Sequence, residues 1–216
     1  MKSHDCANCS LMRYLSIEQR SKILIKSKKY KRNDFIFKSG DLAQGVYCLE
    51  AGVVKLESFG PEGQGHILRV YKAGDLLGHR AWLAKEEYRA NAVAQEDSTV
   101  CWVSGAEFAD LLSHSPELAA NLLNRLSSEL ATAEARICAL TDHDVRERTA
   151  EALLFLENRS LNRQWTRREI AEWAGTTPES VMRVLADLEA EGIIGLEGRK
   201  ILILDLKKLS RISHRH

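Results

Sequence analysis

Two helix starts separated by a single glycine, between Thr166 and Arg183, are the sequence pattern of a helix-turn-helix. Thr166 with Glu169 three residues on is a capping box, and Ile170, Ala171 and Trp173 supply the apolar face of the helix it opens. Gly175 closes that helix. Thr177 and Pro178 open a second one, an N-cap hydroxyl followed by a proline in the first helical position. Val181, Val184, Leu185 and Leu188 turn toward a core, while Glu179 and Arg183, four residues apart, share the other face. Glutamate accepts a hydrogen bond from a cytosine amino group, and the arginine fork fits a guanine edge or a phosphate. Thr177, Met182 and Arg183 join Glu179 as candidate DNA contacts, with Ser180 and Arg167 as phosphate holders. The bland reading of Glu179 and Arg183 is a surface ion pair; the helix-turn-helix context favours base readout.

After Gly192, residues 193–196, a tight turn at Glu197-Gly198 and residues 200–204 read as a hairpin with Arg199 and Lys200 near its tip. This is the wing of a winged helix-turn-helix. A basic tip beside a phosphate backbone adds affinity and salt dependence but little specificity. Otherwise it is a solvated turn.

The formal net charge is only +1, so affinity for DNA must come from a local patch, which Arg163, Arg167, Arg168, Arg183, Arg199 and Lys200 provide. No apolar run approaches the roughly 20 residues needed to cross a bilayer, and the N-terminus lacks a signal-peptide core, so no membrane contact and a cytoplasmic location are expected. Five cysteines, an odd number in a reducing compartment, point to metal, redox or packing roles rather than a disulfide framework. There is no glycine-rich nucleotide loop and no nucleophile motif, and Glu86-Glu87 beside Tyr88 reads as a solvated turn. An enzyme is not expected.

With 216 residues the chain has room for two domains. From about Tyr30 to Val103, short apolar runs at 35–37, 46–49, 53–56, 67–70 and 99–103 are punctuated by glycine turns, as in an antiparallel barrel or sandwich. Residues 16–27 read as a short helix before it. After Pro116 the period changes: Leu126, Leu130, Ala133, Ile137 and Leu140 repeat at four and three, a coiled-coil seam on a helix running to about Thr141. The competing reading is a helix packed only on its own barrel. Val145, Thr149, Ala152, Leu153 and Leu156 mark another helix over 144–158. The expected fold class is α+β: an N-terminal segment and β-roll over 1–115, a dimerisation helix over 116–141, and a winged helix-turn-helix over 142–216.

Three stretches, residues 38–41 with 46–56 (KSGD and VYCLEAGVVKL), 73–78 (AGDLLG) and 177–183 (TPESVMR), in this order with the long helix, resemble the CRP/FNR family of bacterial transcription regulators over nearly the whole chain. The resemblance implies a cyclic-nucleotide-binding-like β-roll, a homodimer on palindromic promoter DNA with half-sites about one helical turn apart, and RNA polymerase as a further partner. It assigns base readout to Glu179 and Arg183. Family members that bind cyclic AMP carry a glutamate after the cassette glycine and an Arg-Ser pair; here Gly78 is kept, His79 replaces the glutamate, Arg89 is kept and Ala90 lacks the serine hydroxyl. Cyclic AMP is therefore disfavoured. The FNR branch implies a cluster held by N-terminal cysteines and one from the roll, and Cys6, Cys9 and Cys101 match three of the four positions, with Leu15 at the fourth. Three readings stay open for these cysteines: an iron–sulfur cluster or other metal, a dithiol switch, or no role. Cys48 and Cys138 read as packing residues. The rival function is a nucleotide- or small-molecule-binding module, with Arg89 as phosphate anchor and a protein-docking C-terminal domain.

Overall fold

The computed structural model describes residues 11, 23, 25–157 and 164–213. Its elements, numbered in order among those residues, fall into two compact units, 1–58 with 68–130 and 59–67 with 131–216.

In the first unit, β1 (Lys26–Tyr30), β8 (Ser98–Ser104), β3 (Gly45–Ala51) and β6 (Leu76–Leu77) form one four-stranded sheet in the order β1-β8-β3-β6. A second sheet has the order β2 (Phe35–Phe37), β7 (Asn91–Ala94), β4 (Val53–Phe59), β5 (Gly65–Lys72). Strand β3 is apolar along nearly its whole length because both of its faces are covered. Tyr47 and Leu49 point into a cluster with Ile36, Phe37, Leu77, Tyr88 and Val100. Val46 and Cys48 point the other way, into a cluster with Cys101, Val103, and Phe108 and Leu111 of helix α2 (Gly105–His114). Leu118 and Leu122, at the start of helix α3 (Pro116–Asp142), complete that second cluster. The core of the roll thus also seats the first turns of the long helix. At 1.5 Å per residue, its 27 residues run about 40 Å.

Seam residues Leu130, Ile137 and Leu140 are exposed, Ile137 at 63%, as is Leu123. The helix expected over 16–27 lies mostly outside the described residues, and its last two positions belong instead to β1. Ser27 pairs with Cys101 across the antiparallel β1·β8 ladder, so the segment is held by backbone hydrogen bonds that its lysine-rich sequence does not advertise.

In the second unit, helix α4 (Val145–Glu157) packs against α5 (Arg167–Ala174), α6 (Pro178–Ala190) and α7 (Leu206–Ser213), with β9 (Ile194–Glu197) and β10 (Lys200–Ile203) as an antiparallel pair. Register Glu197↔Lys200 makes the wing turn a two-residue loop of Gly198 and Arg199, one residue later than the sequence pattern suggested. Gly198 has φ 61° at the first loop position, where one of the two favoured hairpin turns requires glycine.

Candidate nucleic-acid interface and sensor site

Helix α5 is fixed at both ends. The Thr166 hydroxyl accepts from the Glu169 N–H at 3.2 Å, and the Glu169 carboxylate accepts from the Thr166 N–H at 2.9 Å, closing the expected capping box. At the other end Gly175 takes the left-handed conformation, φ 63°, and its N–H donates to the Ala171 carbonyl. Two arginines complete the C-terminus: Arg136 of α3 donates to the Trp173 carbonyl at 2.6 Å and Arg148 of α4 to the Ala174 carbonyl at 2.9 Å. Both place positive charge where a helix end is negative. The Arg136 guanidinium also lies 3.7 Å from the centroid of the Trp173 ring, which stacks on Phe155 at 4.0 Å. Burial lowers the Arg136 pKa to about 10, still well above neutrality, so the cation persists.

On α6 the Thr177 hydroxyl accepts from the Ser180 N–H at 3.2 Å, and Pro178 occupies the first turn. Val181, Val184, Leu185 and Leu188 are buried, so Glu179, Met182 and Arg183 are left on an exposed stripe, with Ser180 half-buried beside them. The surface ion pair that competed for Glu179 and Arg183 is not what holds them. Glu179 is held below its usual pKa first by its own backbone N–H and then by Thr177, with the charge of Arg183 a lesser cause. Arg183 has no hydrogen-bond or ion-pair partner among the described residues. Replacing Thr177 with alanine removes the cap and should cost about 0.5–2 kcal/mol of stability, read as a lower midpoint in urea with an unchanged slope.

The other candidate contacts divide. Arg199 and Lys200 are exposed at the wing tip, as expected. Arg167, expected on a phosphate, instead donates to the carbonyls of Gly198 at 3.2 Å and Arg199 at 2.5 Å. It braces the wing turn, whose carbonyls have no strand partner at the tip. The Leu196 N–H donates to the Glu189 carboxylate at 3.0 Å, tying the wing to α6 as well. Arg168 pairs with Glu172, and Arg163 lies outside the described residues.

In the roll, Gly78, His79, Arg89 and Ala90 each have different immediate surroundings. A Cβ at Gly78 would lie 3.2 Å from the Tyr88 hydroxyl and 3.4 Å from the Tyr47 ring, and Tyr88 stacks on Phe37 at 3.8 Å. Aromatic rings fill the interior beside the glycine. Ala90 is buried, whereas the Arg89 side chain is 74% exposed and pairs with Glu86 at 3.2 Å. His79, the first residue of helix α1 (His79–Ala84), is 1% exposed, with Nε2 at 3.3 Å from Glu129 Oε2 on α3. Glu129 also receives Arg69 of β5 and, at 3.2 Å, Arg125, which reaches Asp75 at 3.2 Å. This network escapes sequence reading because its links from the roll to α3, His79–Glu129, Arg69–Glu129 and Asp75–Arg125, join residues 50 or more apart, and each looks like an ordinary surface charge.

Burial would raise the Glu129 pKa, but the hydrogen bond and charge of His79 and those of Arg69 outweigh it and lower the value to about 2. A carboxyl depressed in the folded state contributes stability above its unfolded pKa, and that contribution is lost as pH falls through the folded value. Urea midpoints should therefore fall between about pH 4.5 and about 2, and fall less steeply in Glu129→Gln.

Of the cysteines, Cys6 and Cys9 lie outside the described residues. Cys101 is fully buried on β8 and disulfide-bonded, Cys48 is a fully buried thiol on β3, and Cys138 is an exposed thiol. Among the described residues no three histidine, cysteine or carboxylate side chains group to hold a metal. No helix among them is long and apolar enough to cross a membrane.

Residues 27–115 match the model of the cyclic nucleotide-binding domain, and residues 147–212 that of the Crp-like helix-turn-helix domain. The cyclic AMP receptor protein of Thermus thermophilus is 32% identical over 85% of this chain and 86% of its own. The chain belongs to the CRP/FNR family. Its members are transcription regulators, not enzymes, and the α+β order of roll, long helix and winged helix-turn-helix is that of the family. Another CRP/FNR relative, the fumarate and nitrate reduction regulatory protein of Vibrio cholerae, is 25% identical over 96% of this chain and 90% of its own. Among solved structures, TTHB099, a CRP-family transcriptional regulator from Thermus thermophilus, superposes with a TM-score of 0.74 at 29% identity, covering 87% of this chain and 96% of that one. The protein is a DNA-binding transcription regulator of the CRP/FNR type, with a sensor domain ahead of its helix-turn-helix.

Proposed function

We propose that the protein is a cytoplasmic homodimer that reads palindromic promoter DNA through Glu179 and Arg183, with Thr177 and Met182 as further contacts and Ser180 on a phosphate, steadies the duplex with Arg199 and Lys200, engages RNA polymerase there, and responds to a redox signal at Cys6, Cys9 and Cys101. The observation that carries the DNA reading is Arg183, an exposed guanidinium with no hydrogen-bond or ion-pair partner among the described residues, projecting from a recognition helix whose start is capped by Thr177. Arg167 acts by positioning the wing tip.

The redox reading is supported by Cys101. It is disulfide-bonded, and it packs in the cluster that seats Leu118 and Leu122 of the long helix. A change at its sulfur acts on the same packing that sets the start of the dimerisation helix, so two pairings of that helix can be biased by one bond. A cyclic nucleotide in the roll is not part of the proposal, since Tyr88 and Tyr47 lie beside Gly78, with Phe37 stacked on Tyr88, and the exposed Arg89 pairs with Glu86.

Absorption spectra and DNA affinity of anaerobically purified protein, before and after mild oxidation, test the signal. A thiol switch gives no visible band and a change in affinity that a dithiol reverses. Visible charge-transfer absorption bleached by air replaces it with a cluster. A Cys6→Ser, Cys9→Ser double variant that keeps the wild-type redox response rejects both.

A further inference from the structure

We infer that Arg136 is a positioning residue that fixes how far apart the two recognition helices stand, and so which half-site spacing the dimer reads; the inference rests on the homodimer reading above. Ala133, Ile137 and Leu140 carry the seam along the last turns of α3, and all three are exposed. Arg136 comes one residue before Ile137, so it lies on the adjoining face of the same helical turn. That face meets α5. Arg136 donates to the Trp173 carbonyl at 2.6 Å, and its guanidinium lies 3.7 Å from the centroid of the Trp173 ring. One planar cation thus holds both the backbone at the end of α5 and the largest side chain on that helix.

Leu140, four residues on from Arg136, shares its side of α3 and takes part in both contacts. It is a seam residue, yet its Cδ2 would lie 2.7 Å from a Cβ at Gly175, so the same side chain closes against the turn between α5 and α6. Arg148 donates to the Ala174 carbonyl at 2.9 Å and to the His143 carbonyl at 2.6 Å, joining the link between α3 and α4 to the same helix end. The last two carbonyls of α5 are therefore held by cations from two other helices, and only Gly175, Thr176 and Thr177 separate them from the first residue of the recognition helix. The seam sets where two copies of α3 meet, and the clamp sets where α6 stands relative to α3. Together they fix the distance between the two copies of Glu179 and Arg183. One base pair more or less at the centre of the site moves a half-site by about 3.4 Å along the duplex and turns it by roughly 35°. With Arg136 in place the recognition helices do not follow that change; without it, α5 and α6 gain the freedom to do so. Arg183 then governs which bases are read, and Arg136 at what separation.

The test uses full-length protein on three duplexes that carry the same two half-sites and differ only by one base pair added or removed at the centre. Wild type should bind the two altered duplexes about 10²- to 10⁴-fold more weakly, because the second half-site no longer gains from linked binding. In Arg136→Ala that gap should narrow about fivefold or more, with the variant still sedimenting as a dimer. Arg136→Lys, which returns a cation to the Trp173 ring and carbonyl without the planar fork, should fall between the two. It carries the test where the alanine variant folds poorly. Variants that lose affinity by one common factor on all three duplexes overturn the inference, since Arg136 would then only stabilise the fold. That result leaves the wild-type preference for one spacing, and the homodimer reading with it, intact. A wild type that binds all three duplexes equally, or one half-site as tightly as two, rejects the homodimer reading and the inference together.

Discussion

Arg183→Ala should bind its twofold-symmetric site about 1–3 kcal/mol more weakly, roughly 5- to 150-fold, while keeping most of its affinity for random DNA. The guanidinium is solvent-exposed and holds no hydrogen-bond or ion-pair partner among the described residues, so the substitution removes no contact that the fold needs. Val181, Val184, Leu185 and Leu188 still anchor α6, and Thr177 still caps it. The loss is then a loss of readout. Relaxed discrimination at one base pair of each half-site, with little change in the salt dependence, is the signature of an edge contact. An equal loss on random and specific DNA, with the salt slope reduced by about one, would instead assign Arg183 to a phosphate.

Ile137→Glu should give monomers. The side chain is 63% exposed, so a charge there is harmless to the monomer, but in a symmetric pair it brings two carboxylates toward one apolar seam. Like charges across an interface cost several kcal/mol, about a hundredfold or more in the dimer dissociation constant. Each protomer then binds a half-site alone and loses the gain from linked binding, about 10²- to 10⁴-fold. Sedimentation reads the first effect and DNA titration the second. A variant that stays dimeric would locate self-association away from the run of Leu130, Ile137 and Leu140.

The helix-turn-helix was legible because everything that defines it is local. Thr166 with Glu169, Gly175 with Ala171, and Thr177 with Ser180 each act across four residues or fewer, and each does in the structure what its chemistry suggests. Strands β2, β3, β4, β5 and β8 were legible from their apolar runs, but β1 was not. Four of its five residues are exposed on a sheet edge, so Lys26–Tyr30 carries no apolar alternation. Strand β7, Asn91–Ala94, is short and alanine-rich, and pairing with β2 and β4 decides its conformation more than propensity does. Roles set by distant partners were the least visible. Arg167 looked like a phosphate ligand until Gly198 and Arg199 came within its reach. Nothing near His79 in sequence foretells Glu129, and nothing near Cys48 foretells Cys101 across the sheet.

The central claim is sequence-specific reading of a symmetric duplex by two recognition helices. It is tested most directly by selecting a binding site from random duplexes, then measuring affinity and stoichiometry on that site, on one half of it and on a scrambled control at a fixed salt concentration. Two protomers should bind a twofold-symmetric site whose half-sites are about one helical turn apart, at least about 10³-fold more tightly than the scrambled duplex. Equal affinity for all three duplexes, or one protomer on an asymmetric site, would contradict it.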